Sequence, residues 1–122
     1  MTGRDETADS LVQRSTSASG INVRVVADQN ALYFQGRLAE ADNFEPAVSV
    51  AALTLPPDGV AMDLGACLGV VSTAIATLVP NGSVIAVEAS TTLRPGLEQT
   101  CALARHRNVR VVSAAAGSVV GS

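Results

Sequence analysis

The chain has no lysine and no tryptophan, a single histidine, and only three aromatic residues, Tyr33, Phe34 and Phe44. Without lysine, eight arginines face eleven carboxylates and the net charge is −3. That balance argues against a phosphate-backbone surface, which needs a clustered basic face, so no nucleic-acid partner is expected. Three aromatics in one region suit core anchors better than a base-stacking platform. The two cysteines, Cys67 and Cys101, stand far apart without Cys-x-x-Cys spacing. Neither a zinc site nor a disulfide framework is indicated, and no metal is expected. The first residues lack a basic n-region and an apolar h-region, and no apolar run reaches membrane-spanning length. The expectation is a soluble cytoplasmic protein with no membrane contact. The bias toward arginine, alanine and valine reads as GC-rich coding, not as function.

What the chain does have is apolar content, 48% of its 122 residues, enough for the core of one domain. Residues 1–20 are rich in Ser, Thr, Asp, Glu and Gly, and are expected to form a disordered leader. Residues 21–122 are then one partial domain, with a hairpin and helix over 21–55 and a βαβαβ unit over 60–113. Ile21 to Val26 alternates as a strand, Asp28-Gln29-Asn30 offers a turn, and Ala31 to Gln35 reads as the returning strand. Asp42 or Asn43 can cap a helix running to about Leu53, with Pro46 tolerated in its first turn.

Pro56-Pro57-Asp58-Gly59 ends that helix and leads into the strand Val60–Leu64. After Gly69, apolar residues at Val70, Val71, Ala74, Ile75 and Leu78 fall on one helical face. Pro80-Asn81-Gly82 stops this helix, and Ser83 to Glu88 is the next strand. Thr91 or Thr92 can cap a third helix, with Arg105-His106-Arg107-Asn108 at its end, where the helix dipole favours cations. Val109 to Ser113 is the last strand. The fold class is therefore α/β, an incomplete Rossmann-like parallel sheet forming the first βαβαβ half.

Chemistry concentrates at the carboxyl ends of the first two of these strands. Asp63 closes one strand, and Gly65 and Gly69 punctuate the turn into the helix, where backbone can approach a ligand closely. Glu88 closes the next strand about 20 residues past the glycine turn, a position suited to a pair of ribose hydroxyls. The bland alternatives are that the glycines merely permit strand–helix packing and that the carboxylates are solvated strand ends. Cys67 has no base beside it in the pattern and reads as a small packing residue. Cys101 reads as a buried apolar contact and His106 as a solvated helix end.

Asp63-Leu64-Gly65-Ala66-Cys67-Leu68-Gly69 resembles motif I of the class I S-adenosylmethionine-dependent methyltransferases. The FkbM-type branch, with its Asp-x-Gly-Ala-Asn-x-Gly loop, is the nearest match. Val84-Ile85-Ala86-Val87-Glu88-Ala89-Ser90 resembles the following block, and Asn108-Val109-Arg110-Val111-Val112 the third strand. The resemblance runs without gaps from about Asn43 to the last residue. Cys67 replaces the family's Asn, Ala89 replaces Pro, and no acid follows the third strand.

The resemblance implies S-adenosylmethionine as cofactor, held by Asp63, Gly65, Ala66, Gly69 and Glu88. Asp63 would act near the methionine amino group and Glu88 on the ribose hydroxyls. It implies a small-molecule methyl acceptor, with O-methylation of a sugar or natural-product hydroxyl, and it names no catalytic residue here. A fourth strand and an acceptor pocket belong to the family's fold but not to these 122 residues. The chain alone is therefore expected to be inactive, completed by a missing C-terminal half or self-associating at the open sheet edge. Two alternatives remain open. One is a non-catalytic fragment or assembly module on a Rossmann remnant. The other is the NAD-binding half of an oxidoreductase, although Gly-x-Gly-x-x-Gly would require glycines where Asp63 and Leu68 stand.

Overall fold

The computed structural model describes residues 11–30, 45–115 and 117. Two strands open it, β1 (Val12–Ala18) and β2 (Ile21–Ala27), paired antiparallel with Ala18 opposite Ile21. Helix α1 (Glu45–Thr54) follows, and then come β3 (Val60–Leu64), α2 (Val70–Leu78), β4 (Ser83–Glu88), α3 (Arg94–Ala102) and β5 (Val109–Ser113). Strands β3, β4 and β5 pair in parallel in that order, with Asp63 beside Ala86 and Ala86 beside Val111. The expected α/β, Rossmann-like architecture is present, with β4 at the centre of the three-stranded parallel sheet.

The hairpin differs from expectation. Ile21–Ala27 pairs with residues 12–18, which belonged to the expected disordered leader. The reason is the two-residue turn Ser19-Gly20, with φ of 48° and 80°. Two successive positive φ values give the turn that matches the twist of a hairpin. The strand needs only one buried face, and Ala18 is 1% exposed against the apolar residues Val23 and Val25. The expected return strand, Ala31 to Gln35, and the aromatics Tyr33, Phe34 and Phe44 lie outside the described residues, as does the proposed cap at Asp42 or Asn43.

Helix α2 is the centre of the packing because both of its sides are covered. One side carries Val70 and Ala74 into a cluster with Val23, Val25 and Ala27 of the hairpin and Val48 of α1. The other carries Ile75 and Ala76 onto Val84 of the sheet and Ala51 of α1. A third cluster joins Leu97 and Cys101 of α3 to Ala86 and to Ala66 in the glycine turn. The hairpin is further fixed by Thr100, whose Oγ1 accepts from the Val26 N–H at 2.8 Å and donates to the Val26 carbonyl at 3.2 Å.

Two helix ends depart from expectation. Leu93, not a threonine, occupies the position before α3 and has no side-chain cap; its N–H instead donates to Ser90 Oγ at 3.3 Å. Helix α3 ends at Ala102, so Arg105, His106 and Arg107 lie in the following turn and not in the last helical one. Asn108 has a structural task there. Its Nδ2 donates to the carbonyls of Val79 at 2.8 Å and Ala76 at 3.1 Å, satisfying the end of α2.

The sheet presents one face to the helices, with Ala61 and Asp63 of β3 in line with buried Val84 and Ala86 of β4. The opposite face of β3 carries Val60, Met62 and Leu64, which are 65%, 60% and 57% exposed. Among the described residues, no strand pairs with the outer edge of β3. No helix among them is long and apolar enough to cross a membrane.

Candidate functional site

The glycine turn Gly65–Gly69 joins β3 to α2 at the carboxyl end of the sheet. Its entry is pinned by the Val87 carbonyl, which accepts from the N–H groups of Gly65 and Ala66, both at 2.9 Å. The turn closes on itself where Gly69 N–H donates to the Ala66 carbonyl at 2.9 Å. Gly65, Cys67 and Gly69 all have positive φ, at 79°, 56° and 88°. The two glycines do different things. A Cβ on Gly65 would meet nothing within 4 Å, so its side faces open space. A Cβ on Gly69 would lie 3.0 Å from Leu97 Cδ1 and 3.2 Å from Thr100 Cγ2, so this glycine lets α2 begin against α3.

Glu88 sits half-buried at the end of β4 and reaches into the same turn. Its Oε1 accepts from the Cys67 N–H at 2.8 Å, and its Oε2 accepts from the Ser90 N–H at 2.9 Å. A carboxylate offers about four acceptor directions, so about two remain for a ligand hydroxyl pair. Asp63, also half-buried, accepts from Ser72 Oγ at 2.6 Å through Oδ2. Ser72 is fully buried in the first turn of α2. The sequence signal for it was weak: a serine three residues past the last glycine, within the helical pattern. The structure thus brings Asp63, Gly65, Ala66, Gly69 and Glu88 to one end of the sheet, and adds Ser72 and the main chain of Cys67 and Ser90.

The local field is negative. Burial first, and then the charges of Glu88 and Asp63, push the Cys67 thiol above its ordinary value. Burial also pushes the Cys101 thiol up to about 12, with help from Asp63 and Glu98. Both cysteines are free thiols and protonated at neutral pH, which fits packing and not nucleophilic chemistry. Among the described residues, no group of three or more His, Cys, Asp or Glu could hold a metal ion. An acidic rim beside an open, glycine-lined surface suits a ligand with a cationic centre and neutral hydroxyls.

No protein-family model matches the chain, and no curated protein sequence matches it. Solved structures do. Precorrin-6y C5,15-methyltransferase from Geobacter metallireducens is 31% identical over 56% of this chain and 35% of its own, with a TM-score of 0.50. The Pyrococcus horikoshii protein PH0793, assigned as a transferase, is 16% identical over 88% of this chain and 37% of its own, with a TM-score of 0.54. The chain thus spans little more than a third of the length of either structure. It shares with the precorrin methyltransferase a Rossmann-like α/β fold over the part that aligns.

Proposed function

We propose that residues 60–113 form the S-adenosylmethionine-binding part of a methyltransferase of the FkbM type. The observation that carries this reading is the Glu88 carboxylate bonded to the Cys67 N–H at the glycine turn, with Asp63 on the neighbouring strand. Two carboxylates and an open glycine surface at one sheet end match a cofactor that carries a sulfonium, an ammonium and a ribose diol. Asp63 and Leu68, standing where the dinucleotide-binding pattern needs glycines, disfavour the NAD reading, whereas Glu88 would suit the ribose of either cofactor.

When bound, S-adenosylmethionine supplies an electrophilic methyl group on a positively charged sulfur. The chain's own residues bind and orient it. Glu88 accepts from the ribose hydroxyls with the acceptor directions its backbone bonds leave open. Asp63, steadied by Ser72, accepts from the ammonium of the methionyl end. Gly65 leaves room for the ligand, and Ala66 and Gly69 shape the turn around it. Methyl transfer needs mainly in-line alignment of donor and acceptor, worth up to about 7–11 kcal/mol. We assign the acceptor pocket to segments beyond this half-site. The acceptor class we favour is a hydroxyl of a sugar or other natural-product scaffold.

The test is calorimetric titration of the protein with S-adenosylhomocysteine and, separately, NAD. Tighter binding of S-adenosylhomocysteine supports the reading. The opposite ranking moves it to an oxidoreductase, and no binding of either moves it to a non-catalytic assembly module.

A further inference from the structure

A second cleft lies between β2 and the helices α2 and α3, on residues other than those of the carboxylate site. Open to solvent on one side, it holds about 830 Å³ between β2, the α2 threonines Thr73 and Thr77, the end of α3 and the loop after it. Arg24, Arg105 and Arg107 line it, three of the chain's eight arginines, and no acidic residue does. Among the described residues, no ion pair or hydrogen bond is made by these guanidinium groups. An uncompensated arginine trio on a chain of net charge −3 is a local inversion of the molecule's charge.

The backbone of β2 adds a second, independent feature. In the antiparallel hairpin, Asn22, Arg24 and Val26 face Ser17, Ser15 and Gln13. Alternate residues of such a strand send their N–H and C=O groups to the same edge. Val26 sends both of its groups to Thr100, on the side away from β1. Asn22 and Arg24 therefore present theirs to that same edge, where the cleft lies, and among the described residues neither pair has a partner. The hydroxyl protons of Thr77 and Thr100, also in the lining, are already donated to backbone carbonyls.

We propose that this cleft receives an acidic peptide segment of a partner protein, in extended form, as an added strand on the Asn22–Arg24 edge of β2. The edge alternates donors and acceptors as a peptide main chain does, which a phosphate or a nucleotide strand would not match. The arginines grip carboxylates through charge-assisted bonds, and Arg is suited to that by its planar fork. Thr100 closes the edge at Val26, so the added strand runs from Arg24 toward the hairpin turn.

The experiment uses the whole protein and a fluorescein-labelled peptide, acetyl-Glu-Val-Glu-Val-Glu-Val-amide, followed by anisotropy. The peptide is expected to bind, and its lysine-for-glutamate counterpart to fail. N-methylation of the alternate backbone amides that would pair with β2 is expected to abolish binding. The double substitution Arg105→Gln with Arg107→Asn is expected to weaken it about tenfold. Asparagine tolerates the left-handed backbone of residue 107, φ 51°, so the turn is kept. Independently of any variant, the amide resonances of Asn22 and Arg24 should shift on adding peptide to the unmodified protein. The proposal is overturned by absence of binding, or by binding indifferent to N-methylation. It is equally overturned if inorganic phosphate or a uridine oligonucleotide displaces the peptide at similar concentration.

Discussion

The backbone N–H of Cys67 donates to Glu88 Oε1 across 2.8 Å and 21 residues of sequence. Cys67 is a non-glycine residue at φ 56°, a conformation that costs about 1–2 kcal/mol. A charge-assisted hydrogen bond to the carboxylate offsets that cost and holds the turn open at its apex. Through its other oxygen, the same side chain fixes Ser90 and, through Ser90, the approach to α3. Glu88 thus shapes the surface that it also helps to furnish.

Replacing Glu88 with Ala should therefore act twice. The Cys67 and Ser90 N–H groups lose their acceptor, and the ligand loses a carboxylate. S-adenosylhomocysteine binding should weaken by about 1.5–3 kcal/mol by calorimetry. Glu88→Gln should be intermediate, because one amide oxygen can still accept from Cys67 while the amide nitrogen faces the Ser90 N–H. Unchanged affinity in Glu88→Ala would reduce the carboxylate to a strand end.

The two glycines of the turn should separate by substitution. Gly65→Ala adds a methyl group in open space, so only the φ of 79° is penalised, by about 1–2 kcal/mol. Gly69→Ala adds that strain and tight contacts with Leu97 and Thr100, which must shift by a few tenths of an ångström, for a total of about 2–4 kcal/mol. Urea denaturation should rank Gly69→Ala as the less stable. Gly65→Val should damage ligand binding more than its stability loss explains. A reversed order would mean that the turn relaxes around position 69 and not around position 65.

The βαβαβ part was legible because its signals are local. The short apolar runs, the glycine turn, and the Pro80-Asn81-Gly82 stop each sit within a few residues of the element they define. By average composition residues 1–20 read as a leader; β1 has no apolar alternation of its own, and its local signal is the Ser19-Gly20 pair ahead of the alternating Ile21–Val26 run. Nothing local announces that Thr100 bonds Val26, 74 residues earlier, or that Asn108 closes α2 from the position just before β5. The candidate site is legible in the sequence only as positions: Asp63 and Glu88 at two strand ends, and Gly65, Ala66 and Gly69 in the turn between β3 and α2. Their bonds to Ser72, Cys67 and Ser90 depend on how α2 enters and are tertiary facts.

Cys101 predicts a loss of stability in alkali. Its thiol has a folded value of about 12 against an ordinary value of 9.0, because burial opposes the thiolate. Between those two values the unfolded chain has released the proton and the native one keeps it. Unfolding then releases a proton, and stability falls as pH rises. The contribution is complete below about pH 9 and lost progressively as pH climbs toward 12. One group can give at most about 1.4 kcal/mol per pH unit. Cys101→Ala should flatten the slope of stability against pH above 9.0 relative to the unchanged protein, compared by urea midpoints. Parallel slopes would mean that the native thiol ionises as easily as the unfolded one.

The face of β3 predicts association of the 122-residue chain. Val60, Met62 and Leu64 project on the side away from the helices, each more than half exposed, and the strand's outer edge has no partner among the described residues. Apolar side chains beside unpaired backbone groups form a template for another copy. Light scattering should show a mass above 12.4 kDa that rises with concentration. Met62→Lys should lower it, because a charge cannot be buried against a second copy without a partner. Being 60% exposed, Met62 contributes little within the monomer, so this change should cost no more than about 0.5 kcal/mol. It also points away from Asp63 and Ser72, so S-adenosylhomocysteine affinity should hold. A chain that stays at 12.4 kDa at every concentration would sink the prediction. So would an assembly that Met62→Lys leaves intact, which would place the contact elsewhere, with the exposed Val50 and Leu53 of α1 the next surface to test.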